Sequence, residues 1–159
     1  MCRVGLFAML LGSLNGHAQP LAREPIEKAY RMMYRAAALK YRYGLFAHRA
    51  SNFKAYDPNG RLVTPETEAA FLDELIVKAI TIRETGQIVS FSQPTPDTVE
   101  CEVTDLLEVV VVTELTRRNR SKMEIRSRSR DRWKREGDHW VQESSYLLEQ
   151  AKRETPMNR

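Results

Sequence analysis

Three polar side chains share one row of a long alternating segment, and they are the most concentrated chemistry in the chain. In SKMEIRSRSRDRWKREGDHWVQESSYLL, residues 121–148, alternation places Met123, Ile125, Ser127, Ser129, Asp131 and Trp133 on one side of a strand. The other side carries Glu124, Arg126, Arg128, Arg130, Arg132 and Lys134. A buried, unpaired guanidinium is prohibitively costly, so the cationic side must be wet or ion-paired and the first side covered. Two hydroxyls and a carboxylate between apolar ends suit the bottom of a pocket that needs only a few orienting contacts. A strand whose middle reaches solvent at an open rim fits the same row. Asp131 could hold a ligand's polar group or a water, pair with Arg49 or Arg132, or cap local backbone.

Other reactive residues are scattered. Asp57 opens Asp-Pro-Asn-Gly, where an aspartate bonds its own backbone, proline presets its φ and Gly60 can take positive φ. His48 lies beside Phe46 and Arg49, at a cavity mouth or in a structural role, and His139 stands alone. Cys101 alternates with Val99 and Val103 and reads as a small buried hydrophobe, with no base indicated beside it. Trp133 and Trp140 have the parity to close one end of a sheet. No HExxH, paired-cysteine or EF-hand spacing occurs and no glycine-rich phosphate loop follows a strand, so neither a metal nor a cofactor is expected.

These residues need elements to position them. Glu24-Pro25 opens a helix in which Ile26, Tyr30, Met33, Ala37 and Tyr41 recur at helical spacing, with a break expected at Gly44 and a short second helix or turn beyond it. Residues 52–61 form a short strand and turn. Thr64 caps a further helix that starts at Pro65, with Ala69, Leu72, Leu75 or Ile76, and Ala79 facing inward. From Ile80 onward the chain is strand-like: Ile80–Phe91, a turn at residues 94–97, Thr98–Leu115 with a bend near Asp105, and two strands around Arg135-Glu136-Gly137-Asp138. The expected fold class is α+β, a curled antiparallel sheet with N-terminal helices packed on its concave face. A polar tail from 149 to 159 is expected to fray.

A chain of 159 residues is one domain's worth. Its formal charge of +4 arises from 25 cations against 21 anions, a mixed surface without aromatics interleaved in the Arg stripe, so nucleic acid is not an expected partner. Met1-Cys2-Arg3 followed by VGLFAMLLGSL, with Gly16 and Ala18 before a possible cut, matches a secretory signal peptide over 1–18 and a linker over 19–24. The expected location is secreted or periplasmic, with no membrane association after cleavage; a buried N-terminal helix or strand is the competing explanation. On Glu100–Glu114 one parity gives Glu100, Glu102, Glu108, Val110, Val112 and Glu114, so the glutamates can pair with the Arg stripe. Val110 and Val112 on that outer face suggest cover by a second copy, a homodimer, although β-branched residues also suit exposed strands.

The helix with Tyr30 and Tyr34, the segment NFKAYDPNGR and the ending RDRWKREGDHWVQESSYL together resemble the nuclear-transport-factor-2-like (NTF2-like) superfamily, in its SnoaL-like or DUF4440 branch, over residues 25–148. The resemblance implies a cone-shaped α+β barrel with a pocket between helices and sheet, and frequent dimers. It also invites comparison with ketosteroid-isomerase-like enzymes of that superfamily. Asp57 matches the position of their general base, and Tyr30 or Tyr34 that of a tyrosine oxyanion donor. Their second donor, an aspartic acid four residues before the aromatic that precedes the turn, falls on Ser129 when counted from Trp133, and a missing oxyanion donor costs about 3–4 kcal/mol.

Three functions follow in order. The first is enclosure of a small, largely apolar organic molecule, oriented by Tyr30, Tyr34, Ser127, Ser129 and Asp131, with His48 and Trp133 near the mouth or end of the barrel. The second is a protein-interaction module without a pocket. The third is an isomerase- or cyclase-type enzyme with Asp57 or Asp131 as acid or base. A deep cavity separates the first and third from the second, and an acid inside it with a raised pKa favours catalysis.

Overall fold

The structure, a computed structural model, describes residues 22–112 and 120–157. The expected signal peptide therefore lies outside the described residues, as do Glu114 and Leu115.

Helix α1 (Arg23–Ala38) buries Ile26, Ala29, Tyr30, Ala36 and Ala37, with Glu24 in its first turn and Arg35 in its last complementing the helix dipole. Of the expected stripe Ile26, Tyr30 and Ala37 are buried and Met33 is half-buried, whereas Tyr41 lies beyond the helix end and is exposed. It stops earlier than Gly44. Lys40 takes a left-handed φ of 56°, and the Lys40 and Tyr41 amides return to the carbonyls of Ala37 and Ala36 at 2.9 and 2.8 Å, closing the end with backbone bonds alone. Gly44 lies instead within the short helix α2 (Arg42–Phe46), where a Cβ would stand 2.7 Å from Ala36 Cβ and from the Tyr41 ring. Its small size lets α2 sit against α1.

Strand β1 (Arg49–Tyr56) and the two-residue β2 (Leu62–Val63) flank the Asp57 turn, and α3 (Pro65–Lys78) starts at Thr64, whose hydroxyl accepts the Thr67 amide at 3.3 Å. Four long strands complete the chain: β3 (Ala79–Thr95), β4 (Thr98–Val112), β5 (Arg120–Glu136) and β6 (His139–Met157). They form one curled sheet in the order β2-β1-β6-β5-β4-β3. The sheet is mixed rather than wholly antiparallel, because β1 runs parallel to β6. That pairing is open to it because β2, α3 and β3–β5 separate the two strands in sequence, and parallel neighbours need such a long connection. The stretch expected as a polar tail also stays in the sheet to Met157. Residues 149–157 are exposed, yet they pair with Arg120–Arg128 of β5, so main-chain bonding rather than burial holds them.

Two apolar clusters lie between helices and sheet. Ala22, Ile26, Ala29 and Tyr30 of the α1 side meet Val99, Cys101, Val103 and Trp133, and Ala37 and Leu75 meet Ala79, Ile82, Val109, Met123 and Ile125. The opposite sheet face carries the Arg stripe, paired across strands with β4 as the alternation predicted, Glu102 meeting Arg128 at 2.5 Å and Arg130 at 2.9 Å; Glu143 of β6 adds a contact to Arg132 at 3.1 Å. Exposed pairs of this kind contribute little to stability, but they keep the cationic side chains out of the core.

Candidate functional site

The inward column of β4 is Val99, Cys101, Val103, Asp105, Leu107 and Val109, apolar or weakly polar except at Asp105. On β3 the matching column is Ile82, Glu84, Gly86 and Ile88, and register sets Gly86 opposite Asp105. The two apolar clusters therefore meet at a polar seam, over which α1 presents Tyr30 and Tyr34 one turn apart, their ring centroids 6.2 Å from each other.

Each tyrosine takes one acid. The Tyr34 hydroxyl donates to Asp105 Oδ1 at 2.5 Å. The Tyr30 hydroxyl donates to Asp131 Oδ2, accepts the Trp133 indole N–H at 3.1 Å and lies 3.5 Å from Cys101 Sγ. Trp133, fully buried and edge-on to Tyr30 at 5.3 Å, fixes that ring by packing and by its N–H. Gly86 makes the Tyr34–Asp105 pair possible: a Cβ there would collide with Asp105 Oδ1 and Tyr34 Oη and stand 2.9 Å from the Thr104 carbonyl oxygen.

A cavity of about 280 Å³ opens against this seam. Its apolar wall includes Met33, Leu72, Leu75, Ile82 and Leu107; its polar lining includes Tyr30, Tyr34, Glu84, Asp105, Ser129 and Asp131. Arg49 and Glu68 stand at the cavity as a two-pronged ion pair, both contacts 2.6 Å, with the guanidinium stacked 4.5 Å over Phe46 and 4.1 Å over Phe53. Lys40 is engaged by the Ala79 carbonyl oxygen.

Burial sets the electrostatics. It pushes Glu84 up to about 7, with repulsion from Asp105 adding to the shift. Burial raises Asp105 to about 6 although the Tyr34 bond opposes it, and nearby Asp131 adds to the rise. Asp131 is also raised, by burial, against the pull of Ser145, Tyr30, Ser129 and Gln142. None of these meets Asp131 Oδ1 in hydrogen-bonding geometry, so a carboxyl oxygen is left without a partner in a residue only 2 % exposed. Tyr30, Tyr34 and Cys101 are all pushed up by burial, Cys101 to about 12, and stay protonated at neutral pH. The arrangement can accept hydrogen bonds from a guest and can hold or move a proton near neutral pH.

No protein-family model matches the chain, and no curated protein matches it. Solved structures do. A candidate scytalone dehydratase from Novosphingobium aromaticivorans superposes with a TM-score of 0.68 at 9% identity, over 86% of this chain and 88% of that one. The hexachlorocyclohexane dehydrochlorinase LinA-type3 from Novosphingobium barchaimii gives 0.64 at 12% identity, over 86% and 90%. An NTF2-like protein from Cytophaga hutchinsonii gives 0.56 at 17% identity, over 79% and 95%. The chain has the NTF2-like fold. At these identities the likeness is one of architecture.

Within this fold the residues singled out by sequence fall into two groups. Tyr30, Tyr34, Ser129 and Asp131 come together at the cavity. The count from Trp133 lands on Ser129, but the acid that meets Tyr30 is Asp131, two residues further along the same face. Asp57 is not among the cavity-lining residues: its Oδ1 accepts the amides of Asn59 and Arg61 at 2.9 and 2.8 Å, the turn role its neighbours suggest. Trp133 lies in the core beneath Tyr30. His48, its pKa lowered by burial, lines a different groove with His139, and Ser127 faces another beside Arg126 and Arg128. Val110 and Val112 are half-buried on β4, away from the cavity. Glu84, Gly86 and Asp105 were missed. The signal for Asp105 was present, since strict alternation from Val99 to Val109 puts it in the inward column, where a bend had been expected.

Proposed function

We propose that this NTF2-like domain binds one small, largely apolar organic molecule in the cavity between α1, α3 and the sheet. The observation that carries this is the cavity of about 280 Å³, walled by aliphatic side chains and floored by a few oriented polar groups, the composition expected of a small-molecule site. At about 30 Å³ per water this is room for roughly nine waters, or one guest of comparable volume. An interaction module without a pocket gives no reason for such a space. Native mass spectrometry of protein purified from its own host, followed by denaturing extraction, tests the proposal. One small molecule per chain supports it; protein that is always empty and takes up no small apolar probe opposes it.

A second reading, a proton-transfer enzyme, is favoured by one specific observation: Glu84 and Asp105 lie in the cavity with pKa values near 7 and 6, where a carboxylate can act as acid or base. Asp131 remains a candidate on this reading, whereas Asp57 is committed to its turn. Loss of turnover in both Glu84→Gln and Asp105→Asn, with binding retained, would support it over simple enclosure.

Two further proposals concern context. Export rests on the apolar run after Arg3 and on Gly16 and Ala18, and a mature chain beginning near Gln19 in the exported fraction would support it. Dimerisation through the outer sheet face rests on Val110 and Val112; a dimer in light scattering that Val110→Glu with Val112→Glu converts to monomer would support it.

A further inference from the structure

We infer that the guest of this cavity carries a protonated nitrogen, that is, an apolar or aromatic body bearing an ammonium group, seated on Asp131 with Asp105 and Glu84 beside it. This deepens the binding proposal and rests on it. The charges facing the cavity can be counted element by element: Tyr30 and Tyr34 from α1, Lys40 after it, Arg49 from β1, Glu68 from α3, Glu84 from β3, Asp105 from β4 and Asp131 from β5. Arg49 is spent on Glu68, and the Lys40 ammonium is held by the Ala79 carbonyl oxygen. Glu84, Asp105 and Asp131 are left without a cation, each facing a cavity whose remaining polar lining is phenol, hydroxyl and amide.

Three uncompensated acids in one buried space are costly, and a folded chain meets that cost with protons or with a cation from outside. Asp131 gives the second, independent indication. The Tyr30 hydroxyl, itself held by the Trp133 N–H, donates to Oδ2, while Oδ1, in a residue 2 % exposed, has no hydrogen-bond partner. A buried, unpartnered carboxyl oxygen in a cavity-lining residue is an acceptor that an N–H donor would satisfy. Among the described residues no three carboxylate, thiol or imidazole groups converge as ligands of a metal ion must, so the geometry suits a cation that brings its own apolar body.

The raised acids give the inference a signature. Below the range where Glu84 and Asp105 ionise, protons occupy the seam; as pH rises through about 6 to about 7 they leave, and the attraction for an ammonium grows. A lysine-like amine stays charged to about pH 10, so affinity should climb across the neutral range.

Isothermal titration with three probes of one shape, 2-phenylethylamine, 2-phenylethanol and phenylacetate, tests this in wild type, Asp131→Asn and the double variant Glu84→Gln with Asp105→Asn. The expected result is an amine bound about tenfold or more tightly than the alcohol near neutral pH, with phenylacetate weakest, and proton release on amine binding when two buffers of different ionisation enthalpy are compared. Asp131→Asn should lose that preference while still binding the alcohol, which also reports that the variant is folded; should it fail to fold, the double variant serves the same purpose. An alcohol that binds as well as the amine overturns the inference and leaves the binding proposal standing. Binding of none of the three overturns both.

Discussion

Replacing Glu84 by Gln removes a cavity acid that burial and Asp105 push up to about 7, and the effect should appear as a change in how stability depends on pH. The ordinary value of this carboxyl is 4.5 and its folded value is about 7. An acid with a raised folded value holds its proton more tightly in the native chain, so the native state is favoured below about 4.5 and loses that advantage as pH rises through about 7. At about 1.4 kcal/mol per pH unit the full span is worth roughly 3.5 kcal/mol, and the partial exposure of Glu84 reduces this to about 1–2 kcal/mol. Asp105 contributes in the same direction over a lower window, ending near 6. Urea unfolding at about pH 5 and about pH 8 reads the difference: wild type should lose stability on going up, and Glu84→Gln should lose less. With a urea slope of about 1–3 kcal/mol/M, the variant's midpoint at the higher pH should lie roughly 0.5–1 M above wild type. A wild type equally stable at both values, or a variant less stable than wild type at the higher one, would refute the burial and the charge coupling assigned to Glu84.

Further outcomes follow from single contacts. Gly86→Ala should separate Tyr34 from Asp105 and cost about 1–3 kcal/mol in denaturant unfolding, with part of the loss recovered when Asp105→Ala clears the space. Trp133→Phe keeps most of the packing but removes the donor to Tyr30, and should cost about 1–2 kcal/mol by thermal unfolding, against about 3–5 kcal/mol for Trp133→Ala. Arg49→Lys retains the charge beside Glu68 but loses the two-pronged bond and the stacking over Phe46 and Phe53, so unfolding measurements should show a loss of about 1 kcal/mol or more. Asp57→Asn should leave small-molecule binding unchanged in the same titrations, because its carboxylate serves a turn remote from the cavity lining.

The alternation of the C-terminal strands makes much of this legible in the sequence. Parity in residues 121–134 separated the core side from the cationic side, and the glutamates of β4 were matched to the arginines of β5 because charge on two adjacent strands must share the wet face. Tyr30 and Asp131 were both candidates, yet nothing in their spacing says that they meet: a contact across 101 residues depends on how α1 lies on the sheet. Asp105 was legible in principle from its column and was obscured by the expectation of a bend. Glu84 and Gly86 were harder, since β3 mixes exposed and covered residues and is shifted in register between Ile88 and Ser90. The parallel β1–β6 pairing had no local signal either, because β1 meets the two-residue β2 on one edge and the distant β6 on the other, and only the second contact, far away in sequence, sets the parallel direction. The strand beyond Glu149 was missed for a related reason: its exposed polar side chains carry no burial pattern, and only main-chain pairing with β5 holds it.

The proposed role stands on the cavity accepting a guest, and methyl-resolved NMR during titration with 2-phenylethanol tests that most directly. Binding there predicts saturable shifts concentrated on Leu72, Leu75, Ile82 and Leu107, which line the cavity, with Val110 and Val112 on the opposite sheet face unmoved. Shifts that fail to saturate, or that gather on Val110 and Val112 while the cavity methyls stay still, would contradict it.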